Sequence, residues 1–101
     1  MSIKGSPYPR FLRALKTGNL AVIRNAASEL PSVSLQHALT ICLVIRDAEP
    51  DRFERACLRW LARYCLERAD TVEDVRTAAT ALHALPTATE ASLKTLRDLV
   101  T

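Results

Sequence analysis

Apolar residues return every three to four positions along almost the whole chain, and short breaks divide that rhythm into six stretches, each predicted to be a helix. The most apolar is 35–45. There Leu35, Ala38, Leu39, Ile41, Cys42, Leu43, Val44 and Ile45 leave only a narrow polar strip of Gln36, His37 and Thr40. A helix apolar on nearly every side has to be surrounded. This third helix, capped by Ser32 or Ser34 and ending near Ala48, is therefore expected to be the buried centre of the fold.

The other stretches have clear punctuation. Pro7 and Pro9 open a first helix that runs to about Thr17, with Tyr8, Phe11, Leu12 and Leu15 on its core face and Gly18 as its stop. Asn19 caps a second helix carrying Leu20, Ile23, Ala27 and Leu30 and closed by Pro31. Pro50 and Asp51 start the fourth and longest helix, about 51–69, whose wide apolar face holds Phe53, Cys57, Trp60, Leu61, Tyr64 and Cys65. Thr71 and Asp74 read as a capping box for the fifth, with Val72, Val75, Ala79 and Leu82 inward and Pro86 at its end. Thr87 or Thr89 caps a sixth, with Leu93, Leu96, Leu99 and Val100; its free end is expected to fray.

Residues 1–6 read as a flexible tail before a single helical domain, 7–101. Short turns make neighbouring helices antiparallel. The fold class is thus all-α: a compact bundle of six short antiparallel helices around the third, or alternatively a short solenoid of three helical hairpins. The segment Ala14-Leu15-Lys16-Thr17-Gly18-Asn19-Leu20, with the stripe after it, is similar to the first helix pair of an ankyrin repeat. The chain lacks Thr-Pro-Leu-His and any recurrence near 33 residues, so no function follows from that likeness. In helix number and length it resembles the death-fold adaptor domains, with no shared motif.

Composition narrows the class. Hydrophobic residues make up 49% and charged residues 25%, a globular balance, and two glycines leave helix unopposed. The net charge is +3, with five bases and no acid before Glu29. A basic bias suits an acidic partner or nucleic acid. Cys42, Cys57 and Cys65 cannot all pair and show no CxxC spacing, which points to reduced thiols and a cytoplasmic protein. The opening residues lack the apolar core of a signal peptide, and no apolar run approaches the roughly 18 residues of a membrane span.

Catalytic chemistry finds little to work with. His37 and His83 stand alone, ligand spacing for a metal is missing, and two glycines cannot build a phosphate-cradling loop. The expectation is a non-enzymatic protein with no cofactor, no metal and no small-molecule substrate. Two features suggest binding. Arg52, Arg55, Arg59 and Arg63 form a stripe on the fourth helix, and Arg10, Arg13 and Lys16 a second row on the first. Such rows could track a phosphate backbone or an acidic helix, or could simply be solvated faces paired with nearby acids. A helix-turn-helix reading has its turn at 16–19 but offers only Arg24 and Asn25 as base readers. Trp60 and Tyr64, one turn apart, are either core fillers or anchors for a partner. The expected function is protein–protein interaction or self-association, as a homodimer, with nucleic-acid binding through the arginine stripe as the alternative.

Overall fold

The computed structural model describes residues 6–101. The N-terminal tail expected over 1–6 therefore lies, apart from Ser6, outside the described residues. Helices α1 (Pro7–Thr17), α2 (Leu20–Ala27), α3 (Leu35–Ala48), α4 (Phe53–Glu67), α5 (Val72–Ala84) and α6 (Thr89–Leu99) follow one another, with a 3-10 turn at Pro50–Arg52. No strand occurs among the described residues, and the fold is all-α, with adjacent helices packed in bundle fashion. Packing separates two compact units, one ending at Phe53 and the other spanning Glu54–Thr101.

In the first unit α1 packs on α2 and α2 on α3. Gly18 makes the first joint possible. It adopts φ 67°, a left-handed conformation that suits glycine, and donates its N–H to the Leu15 carbonyl. Thr17 Oγ1 accepts the Asn19 N–H at 3.0 Å, and Asn19 Oδ1 accepts the Val22 N–H at 3.2 Å. The joint between α1 and α2 thereby satisfies its own backbone donors. Phe11, Ala14 and Ile23 form the centre of this unit, with Leu12, Leu15, Leu30 and Ile41 against them. Ala14, three residues after Phe11, is buried on the same side of α1, whereas Tyr8, expected on the core face, is not. Tyr8 lies in the first turn, half exposed, its ring 6.0 Å from that of His37.

The second helix is shorter than expected. It closes at Ala27 because Ser28 Oγ donates to the Asn25 carbonyl, and the next backbone N–H groups bond three residues back, not four. Leu30 follows in the connection, still partly buried. Of the two candidate caps for α3, Ser34 takes the role, accepting the His37 N–H at 3.2 Å. Full burial along α3 is confined to Leu35, Leu39, Cys42 and Ile45, while Ala38, Ile41, Leu43 and Val44 keep partial exposure. Burial of this helix is thus graded around its circumference.

In the second unit α5 packs on α6. The Thr71 capping box is present: Thr71 Oγ1 accepts the Asp74 N–H at 3.0 Å, and Asp74 returns the bond to the Thr71 N–H at 3.2 Å. The buried line of α5 is Ala78, Ala81 and Leu82, continued by Leu85. Val72, expected inside, is 86% exposed, since the first turn precedes the packed part of the helix. Neither Thr87 nor Thr89 caps α6; the N-cap is Ala88, and Thr89 Oγ1 donates back to the Leu85 carbonyl. The end of α6 is also not free. Arg68 donates to the main-chain oxygens of Val100 at 2.9 Å and Thr101 at 3.1 Å, a charge-assisted tie that holds the last turn.

Candidate interaction surface

Helix α4 starts at Phe53, two residues after the expected start, because Pro50–Arg52 winds as a 3-10 turn. Its interior side is Phe53, Ala56, Cys57, Trp60 and Tyr64. Trp60 and Tyr64 are each 2% exposed, and their rings stack with centroids 5.6 Å apart and planes within 6°. They are core, which corrects their candidacy as anchors displayed to a partner. Burial pushes the Tyr64 phenol above its ordinary pKa, because the phenolate would lose hydration. Cys65, expected beside them, is exposed; at 100° per residue it falls beyond the edge of that interior arc.

The arginine stripe divides into paired and unpaired members. Arg52 sits in the 3-10 turn and approaches Glu49 at 3.8 Å. Glu49 is held more closely by Arg24, at 3.1 and 3.3 Å, and that hydrogen bonding lowers its pKa. Arg63 Nε donates to Glu67 at 2.8 Å, and the same contact lowers the Glu67 pKa. Arg55 and Arg59 are exposed and make no ion pair among the described residues. In the α1 row Arg10 pairs with Glu29, while Arg13 and Lys16 are exposed without an ion pair among the described residues. The two rows belong to different units, apart from Arg52, which lies with the α1 row. Beside Arg13 a shallow groove of about 350 Å³ runs over Thr17, Val22 and Asn25.

The surface side of α4 carries large apolar groups that the arginines had overshadowed in the sequence. Leu58 is 52% and Leu66 88% exposed, and Ala62 lies between them at the same four-residue spacing. Cys65 is exposed beside them and Leu61 is partly so. The helical period identifies this row: 58, 62 and 66 drift slowly around the cylinder, opposite Phe53, Trp60 and Tyr64. An apolar row on the water side of a helix is unusual for a face that stays solvated. Alongside it, Leu58 and Leu61 of α4 and Ala79, Leu82 and His83 of α5 line a groove of about 230 Å³, with Glu54 at its edge.

The two histidines occupy ordinary positions. His37 Nδ1 lies 3.1 Å from Ser34 Oγ, and its ring meets the edge of Phe11 at 5.7 Å. His83 is exposed at the α4–α5 groove. Among the described residues no three His, Cys, Asp or Glu side chains gather as metal ligands would, and none of the helices is long and apolar enough to cross a membrane. Comparison of the chain with known protein families, with curated proteins and with solved structures finds no match.

Proposed function

We propose that this chain is a non-enzymatic, cytoplasmic interaction domain that binds protein, a second copy or another chain, through the outward face of α4. The observation that carries the reading is the exposure of Leu58 and Leu66, at 52% and 88%, on one side of a single helix. Burying Leu66 against a partner would contribute about 1.5–3 kcal/mol, and half-exposed Leu58 about half as much, a favourable term toward association. The cytoplasmic assignment is supported by three thiols that form no disulfide.

A second reading is nucleic-acid binding, favoured by Arg55 and Arg59, whose guanidiniums make no ion pair among the described residues. One experiment separates the two. A photo-crosslinking residue is placed at Ala62 in the full chain in its producing cells, with Arg76 on α5 as the control position. Protein adducts specific to position 62, persisting at about 0.5 M salt, are expected. Adducts to nucleic acid that vanish as salt rises, or the absence of any adduct specific to 62, would overturn the reading.

A further inference from the structure

Resting on that reading, we infer that the partner of this face is a second copy of the chain, its α4 packed parallel to the first around a two-fold axis. The argument comes from the register of α4. Assigning its interior residues Ala56, Cys57, Trp60 and Tyr64 to heptad positions b, c, f and c leaves Arg55, Leu58, Ala62 and Cys65 at a, d, a and d. All four are exposed: Ala62 lies opposite the interior side, with Arg55 and Leu58 within about 40° of it, as is Leu66, and Cys65 about 60° away. The flanking positions are Glu54 and Leu61 at g, with Arg59 and Leu66 at e.

In a parallel pair each g residue meets the e residue five positions later on the partner helix. Glu54 then meets Arg59 of the second copy, and Leu61 meets Leu66. One pair joins opposite charges and the other joins two leucines. Both match in kind, and the symmetry makes each twice. Glu54 and Arg59 make no ion pair within the chain among the described residues. Leu66 is the most exposed of the large apolar residues, at 88%, and its counterpart Leu61 lines the groove that could receive it. In an antiparallel pair with the same seam Arg59 would face its own copy, which costs energy, and Glu54 would face Arg68 of the second copy, a guanidinium already engaged by the main-chain oxygens of Val100 and Thr101. Arg55 at an a position sits in the seam beside its own copy. Such a polar residue lowers affinity while fixing register. Two heptads with alanine at the middle form a small seam, so the dimer is weak and reversible, with a dissociation constant of about 10 μM to 1 mM.

Sedimentation of the purified full chain up to about 1 mM tests this. Mass is expected to rise with concentration to that of a dimer, and Leu58→Asp to weaken association at least tenfold with unchanged helicity. Glu54→Arg alone and Arg59→Glu alone are each expected to weaken it about 3- to 10-fold, since the pair occurs twice. The double swap Glu54→Arg with Arg59→Glu is expected to restore it to within about twofold. A chain that remains monomeric at 1 mM, or a double swap that adds the two losses, overturns the parallel dimer. If crosslinks at Ala62 then still capture a different protein, the interaction reading stands and only the second copy is wrong. If no adduct specific to Ala62 forms, both fall.

Discussion

Leu39 and Leu43 stand one turn apart on α3, and the sequence treats them alike. Leu39 is 1% exposed, whereas Leu43 is only partly covered. The difference decides what a charge would do at each. Leu39→Asp is expected to abolish folding, because an unpaired carboxylate would lie fully out of water. Leu43→Asp, which the apolar pattern alone ranks as equally damaging, is expected to leave a folded protein weakened by about 1–3 kcal/mol. Circular dichroism with urea titration reads both. Tyr64 gives the pH counterpart. Its folded pKa lies above the ordinary 10.0, chiefly through burial. The protonated phenol is therefore the form that folding favours. Its contribution is complete below the unfolded value and is lost as pH rises through the folded one. In a Tyr8→Phe variant, absorbance near 295 nm is expected to show a single phenol ionising above pH 10 together with loss of helicity. Ionisation at the ordinary value with the fold intact would show that Tyr64 is not sequestered.

At the scale of the element, what the sequence made legible were local interactions. The Gly18–Asn19 joint, the Ser34 cap and the Thr71–Asp74 box each involve residues within three positions of one another. Backbone chemistry alone therefore identifies them. Thr71→Ala is expected to cost about 1 kcal/mol and to increase amide exchange in the first turn of α5; a loss below about 0.3 kcal/mol would mean that packing, not the cap, sets that terminus. Less legible were features settled by groups distant in sequence. The held end of α6 depends on Arg68, thirty-two residues before Val100, whereas the early stop of α2 is a local choice by Ser28, whose hydroxyl bonds the Asn25 carbonyl three residues back. Tyr8, on the apolar face by period, stays half exposed in the first turn, while Ala14 joins Phe11 and Ile23 in the buried cluster.

For the whole molecule, the net charge of +3 was a guide to partner class only until the ion pairs could be assigned. Two of the five bases before Glu29 are engaged within their own unit, Arg10 with Glu29 and Arg24 with Glu49. The arginine stripe, legible as a pattern, turned out to be half occupied, leaving Arg55 and Arg59 beside a row of apolar residues. That row was hidden in the sequence because Trp60 and Tyr64 claimed the apolar identity of α4, and Leu58 and Leu66 entered neither the apolar face nor the arginine stripe read there. Only burial separates an inward face from an outward one. Hydrophobic pattern thus located the apolar residues of α4 without telling which of them face inward and which face water.

Trp60 is the chain's single tryptophan, and it lies flat against Tyr64. The molecule consequently carries one indole, on the buried side of α4, whose emission can be excited apart from that of the two tyrosines. Its emission colour reports whether the inner side is dry, with no added dye. If the proposed second copy settles on the outer side, the indole keeps its surroundings, and assembly is expected to be spectrally silent while unfolding is not. Fluorescence and sedimentation therefore observe two independent events on the same fifteen residues.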